Sequence, residues 1–203
     1  MGSEVLVFQM GAVIFALASV YFMFSGKKKP SFSTEFFISF ITTTSYVLMS
    51  QSIAITTSLS GEIIYWSRWI FYMASCSLLM YDTSKVLSIY ESDYPKMALL
   101  TGLTMFNGFL ASYVTTSSRW LFYLLSSIAY IGLVYKVTQG EDNPKFNLLK
   151  PFVLVGWTLF PVVFLLAPTG IGLLNTSFSE AGYLVLDIAT KILFGIQTSR
   201  LKN

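Results

Sequence analysis

The last apolar stretch of the chain reads Tyr183-Leu-Val-Leu-Asp187-Ile-Ala-Thr-Lys191, with a carboxylate and an amine four residues apart. On a helix that is one turn, about 6 Å, on one face. Taken alone, the spacing is that of an intrahelical ion pair that neutralises itself. Within a stretch apolar enough to cross a bilayer, however, an ionisable group costs upward of about 2.5 kcal/mol and marks a functional site. A desolvated amine in such a place is suited to covalent attachment of a carbonyl compound as a Schiff base.

A second set of charges lies in the segment from Arg68 to Asp82. At 100° per residue, Phe71, Ser75 and Asp82 fall within about 40° of one another, and Arg68 lies about 60° from Phe71. Asp82 lies about 16 Å along the axis from Phe71, half the thickness of a bilayer core. It is either a carboxylate serving a proton path or an interfacial acid paired with Lys85. Further on, Trp157, Phe160, Pro161 and Phe164 recur at i, i+3, i+4 and i+7, an aromatic wall with a proline kink. Such a wall usually packs against lipid or a neighbouring helix. Beside an intramembrane lysine it reads as a slot for a flat conjugated ligand.

These residues need a scaffold. A bilayer core of about 30 Å takes roughly 20 apolar residues as a helix. Stretches at about 4–25, 33–57, 62–84, 95–113, 118–137, 148–168 and 178–199 meet that requirement. Turn or charge signals separate them: Lys27-Lys28-Lys29-Pro30, Ser60-Gly61, Glu91-Ser92-Asp93, Thr115 to Ser118, Gly140 to Pro144, and Pro168-Thr169-Gly170. The expected fold is an all-α membrane protein of seven transmembrane helices, a single domain over 1–203. Lys27, Lys28, Lys29, Lys85, Lys96, Lys136, Lys145, Lys150, Arg200 and Lys202 gather on one side, and Arg119 stands on the other. The positive-inside rule then puts the N-terminus outside and the C-terminus in the cytoplasm. With no basic residue before Lys27, the first stretch reads as a retained helix rather than a cleaved signal.

Composition agrees and excludes much else. Of 203 residues, 54% are hydrophobic, only 11% are charged, and the mean hydropathy is +0.65. Soluble domains carry about 25% charged residues. The absence of histidine removes Ser-His and Cys-His catalysis and imidazole metal sites, and a single cysteine, Cys76, removes disulfides and cysteine clusters. A net charge of +3, scattered along the chain, does not point to nucleic acid.

Seven spans with an outside N-terminus, Asp187-x-x-x-Lys191, Trp157-x-x-Phe160-Pro161-x-x-Phe164 and Arg68 together resemble the microbial rhodopsins over nearly the whole chain. The resemblance implies a light-driven ion transporter, not an enzyme, in the cell membrane. It implies all-trans retinal on Lys191 as a protonated Schiff base with Asp187 as counterion and Arg68 helping to keep Asp187 ionised. Tyr72, Trp157, Phe160, Pro161 and Phe164 would line the polyene slot, and Asn107, Tyr123 and Ser126 its ring end. Outward proton pumps of the family carry a carboxylate where this chain has Phe71. The Phe71/Ser75 pair with Tyr72 and Cys76 resembles the schizorhodopsins and the related Antarctic rhodopsins, which are light-driven inward proton pumps. Their third motif residue is typically Glu, and here it is Asp82. The resemblance thus implies proton exit toward the cytoplasm past Ser75, Cys76 and Asp82, and uptake from outside past Arg68 and Asp187. Trimers are common among the proteins it resembles, so a homotrimer in the lipid bilayer is the assembly implied. A sensory photoreceptor, a light-gated channel and a retinal-free transporter are the alternatives that the residues leave open.

Overall fold

The structure, a computed structural model, describes residues 2–25, 32–141 and 149–202, without the side chains of 149 and 200–202. The predicted markers Lys27, Lys28, Lys29, Pro30, Asp142, Asn143, Pro144 and Lys145, and the side chains of Arg200 and Lys202, lie outside the described residues. Helices run over Ser3–Phe24 (α1), Thr34–Ser50 (α2), Trp66–Val86 (α3), Tyr94–Tyr113 (α4), Arg119–Thr138 (α5) and Leu149–Leu166 (α6). The last rod is continuous: Thr176–Asp187 (α7), a π-helical turn at Ile188–Leu193, and Phe194–Lys202 (α8). Among the described residues these make seven spans. Antiparallel β1 (Thr56–Thr57) and β2 (Ile63–Ile64) pair in the α2–α3 connection, with Thr56 opposite Ile64.

The distribution of side chains is that of a protein dissolved in lipid. On α1, Phe8, Gly11, Phe15, Ala18 and Phe22 face inward while Leu6, Met10, Val13 and Leu17 are exposed. Both faces are apolar, because water is on neither side. On α5, Leu121, Leu124, Leu125, Ile128 and Ile131 form the outer face. Buried positions instead carry Ser, Thr and charges: Ser67, Arg68, Ser75, Asp82, Thr83 and Ser84 on α3. Several hydroxyls bond within their own helix, as Thr42 does on the Ile38 carbonyl and Thr83 on that of Leu79, each at 2.8 Å.

Two expectations need correction. The second span stops at Ser50, not 57, and the third begins at Trp66, not 62. At Ser52 and Ala54 the backbone turns left-handed, and the chain then pairs as a hairpin that reverses near Gly61 (φ 91°). Ile53, Ile55, Thr56, Thr57, Ile63 and Ile64 are β-branched, so they suit strands as well as a bilayer helix, and apolar length alone did not separate the two. Elsewhere the boundaries lie close to expectation, with Ser33 accepting from the Phe36 amide at the start of α2 and Asn175 from that of Phe178 at the start of α7.

The ring of helices closes through α1 on α2 and α7, α3 on α2 and α4, α4 on α5, and α6 on α5 and α7. This sets α3 and the seventh span across the interior from each other, running parallel, so Arg68 meets Glu180, Tyr72 meets Asp187 and Asp82 meets Thr198 in the same order along both. Three pairs of residues therefore meet in descending order.

Candidate functional site

Lys191 sits in the π turn. One residue earlier the Thr190 hydroxyl reaches back to the Leu186 carbonyl at 2.7 Å, competing with the backbone ladder where it widens. Opposite, Gly156 of α6 has no side chain: a Cβ there would lie 2.7 Å from the Thr190 methyl, so glycine permits the close approach. Lys191 and Asp187 are both buried, with Nζ 2.9 Å from Oδ1 and 3.7 Å above the Tyr72 ring centroid. The other carboxylate oxygen, Oδ2, accepts from Tyr46 Oη at 2.8 Å and from Tyr72 Oη. Asp187 thus has two phenol donors and one ammonium.

One level toward the hairpin, Arg68 pairs with Glu180 through two parallel contacts, Nη1 to Oε1 at 3.0 Å and Nη2 to Oε2. The guanidinium also lies 4.5 Å from the Tyr183 ring centroid. The carboxylate that Arg68 bonds is thus Glu180, so its expected help to Asp187 involves no bond between the two. Two buried cations face two buried anions, one pair per level, which is how a low-dielectric interior holds charge.

On the far side of Lys191, Asp82 is fully buried and accepts from the Thr198 hydroxyl at 3.4 Å. Its interfacial alternative, pairing with exposed Lys85, does not fit that burial: the Lys85 amine lies over the Tyr81 ring at 4.2 Å. Glu35, 4% exposed, is a second carboxylate at this end.

A cavity of about 170 Å³ runs from Lys191 between α3, α4, α5, α6 and α7. Of the residues named from the sequence, Tyr72, Cys76, Tyr123, Ser126, Trp157, Phe160, Pro161 and Phe164 line it, as do Arg68 and Lys191. Phe160 stacks on Tyr183 and Phe164 on Tyr123, with rings 18° and 11° apart. Trp69 closes one wall edge-on to Phe164, and Gly108 lets it do so, since a Cβ there would lie 2.5 Å from the indole. An aromatic slot ending at a buried amine, with the Asp187 carboxylate 2.9 Å away as its counter-charge, fits all-trans retinal.

Besides Asp187 and Asp82, placed above, three expected residues do not line the slot. Asn107 bonds the Leu103 carbonyl at 2.8 Å and does not line the cavity, so its expected ring-end contact is corrected. Phe71 is half-buried and Ser75 fully buried on α3, and neither lines the cavity. Sequence reasoning missed Glu180, Tyr46, Trp69 and Tyr183. Glu180 was within reach, since it lies two turns before Asp187 on the same face. Tyr46 had no signal in a Ser/Thr-rich span. It is seated by Gly11, where a Cβ would lie 2.5 Å from its ring.

Comparison with known proteins places this geometry. The family model described as bacteriorhodopsin-like protein matches residues 3–202. Bacteriorhodopsin-II of Haloarcula marismortui is 24% identical over 92% of this chain and 83% of its own length. Sensory rhodopsin-2 of Natronomonas pharaonis is 22% identical over 93% and 84%. The crystal structure of schizorhodopsin 4 superposes with a TM-score of 0.87 at 33% identity, covering 98% of this chain and all of that one.

Proposed function

Because the chain belongs to the bacteriorhodopsin-like family, whose members include pumps and photoreceptors, we propose that it moves protons inward, from the outside to the cytoplasm, on illumination. It is a multi-pass protein of the cell membrane that carries retinal as a Schiff base on Lys191 and transports ions under light rather than catalysing a reaction. The observation that carries the inward direction is Phe71. A phenyl ring takes no proton, so the position where outward pumps of the family keep a carboxylate offers no acceptor.

When bound, retinal supplies the light absorption and the isomerisation that turns the Lys191 N–H. The chain's own residues then decide where the proton goes. Asp187 faces the Lys191 cation at 2.9 Å, and its Oδ2 already accepts from Tyr46 and Tyr72. Toward Asp82, Cys76 lines the slot and the buried Ser75 hydroxyl stands next to it on α3, two polar groups that can pass a moving proton on. Asp82 is the buried carboxylate beyond them, where it attracts that proton. Return is supported from the opposite end, where the cavity continues past Arg68 and Glu180 to Glu62 and Thr176 near the hairpin. With the N-terminus outside, that end faces the medium.

The sign of the light-induced pH change tests the proposal. Cells expressing the protein in unbuffered medium should turn the medium alkaline under light, and a protonophore should abolish the signal. Acidification would overturn the inward direction, and a slow photocycle with no net pH change would favour a sensory role.

A further inference from the structure

We propose that Glu180 is a positioning residue that sets how tightly the Lys191 nitrogen holds its proton, by holding the Arg68 guanidinium away from Asp187. Arg68 lies one helical turn before Tyr72, whose hydroxyl bonds Asp187. A side chain as long as arginine reaches across that turn, so its guanidinium has two buried carboxylates to choose between. It takes Glu180, through a two-point contact, with the Tyr183 ring against its face. The geometry is the fork-to-carboxylate match that arginine makes best. Arg68 Nε is buried without a hydrogen-bond partner, so the guanidinium is oriented by Glu180 and Tyr183 rather than by a full set of bonds.

The consequence is electrostatic. With Glu180 present, each level is neutral: Arg68 with Glu180, Lys191 with Asp187. Without its charge, two cations share the single anion Asp187, and the proton on the Lys191 nitrogen is the one that can leave. Glu180 and Asp187 are seven residues apart, about 10 Å along the axis. An uncompensated charge at that distance, across an effective dielectric of about 20, acts by about one pH unit. Other titratable groups around Glu180 are Tyr65 at the start of α3, Tyr183 on its own helix, Tyr46 on α2, Glu62 in the hairpin connection and Glu4 on α1, which accepts from Ser177. Around Lys191 they are Asp187, Tyr72, Tyr46 and Cys76. Among all of these, the only cation besides Lys191 is Arg68, so the compensation passes through one pair.

This inference rests on retinal at Lys191 and not on the direction of transport, so the two fail separately. The experiment is an alkaline titration, in the dark, of the purified retinal-loaded protein, following the pH at which the visible band gives way to a blue-shifted one. Glu180→Gln, matched in shape, should lower that midpoint by about one unit, a tenfold weaker hold on the proton. Glu180→Asp, which keeps the charge, should return most of the shift. Arg68→Gln combined with Glu180→Gln removes both charges and should titrate close to wild type. A wild-type midpoint in Glu180→Gln would overturn the proposal, and so would a double variant shifted as far as Glu180→Gln. Should Glu180→Gln fail to fold, the double variant decides in the same way: a wild-type midpoint supports the proposal and a lowered one overturns it.

Discussion

The two halves of the bundle on either side of Lys191 are built on opposite plans. Toward the hairpin, charges come in a matched pair, Arg68 with Glu180, and the cavity continues along them to Glu62 and Thr176. Toward Asp82, packing takes over: Ile38, Leu79, Met80, Val86, Leu87, Val153, Trp157 and Phe194 form one apolar cluster around the buried carboxylate. The first half holds opposite charges at rest and leaves space beside them. The second keeps a buried acid, bonded by the Thr198 hydroxyl, in a half packed with apolar side chains. A device that moves protons in one direction needs such a difference, since two equal halves would let the proton return the way it came.

The comparison breaks most completely at the boundary itself. Lys191→Ala removes the amine between the halves, and the purified protein should lose its visible absorption band altogether. A persisting band would show that retinal is held elsewhere. Next in size is the closed half. Asp82→Asn keeps the shape of the side chain and its bond with Thr198 but removes the charge. Transport should fall by at least about a hundredfold, the scale of a positioned proton-transfer group, while the visible band stays in place. Undiminished pH changes under light would reduce Asp82 to a structural residue.

How much of this was legible beforehand follows the same division. The apolar spans were readable because lipid imposes one rule on every outward face, and α1, α4 and α5 lie within a residue or two of their expected limits. Asp187, Lys191 and the aromatic wall were readable because their spacing lies within single helices. Contacts between helices were not. That Arg68 turns to Glu180 depends on how α3 is set beside α7, parallel and in one register, and local spacing does not encode that setting. The expected start of the last span at 178 also set Glu180 only two residues inside its boundary. Helix α7 in fact starts at Thr176, and Glu180 is 6% exposed. Tyr46 and Gly11 show the same limit, because a glycine that clears space for a ring on another helix is silent until both helices are placed. The hairpin failed for a different reason, as β-branched residues satisfy strand and membrane helix alike.

The smallest expected effect sharpens the comparison through a second ion cluster, at the surface on the Asp82 side. Asp93, in the short turn before α4, accepts from Lys96 at 2.8 Å and from Lys136 of α5 at 2.9 Å, tying the ends of two helices. Those hydrogen bonds, Lys96 first and Lys136 second, hold its carboxyl below the usual carboxylate value. A group whose value is lowered on folding adds stability above its unfolded value, about 3.9 for Asp, and loses it as pH falls through the lowered folded value. Asp93→Asn should therefore melt slightly earlier than wild type at neutral pH, and the gap should start to close near about pH 3.9 and vanish only below the lowered folded value. Added salt should close the same gap, because the Lys96 side chain is 63% exposed and solvent ions screen it. Salt should leave the dark titration midpoint governed by Glu180 nearly unmoved, since Arg68 and Glu180 are 8% exposed each and mobile ions do not reach between them. Equal salt sensitivity at both clusters would mean that water penetrates the hairpin half as freely as it does the surface, and the contrast between the two halves would then lie in packing alone.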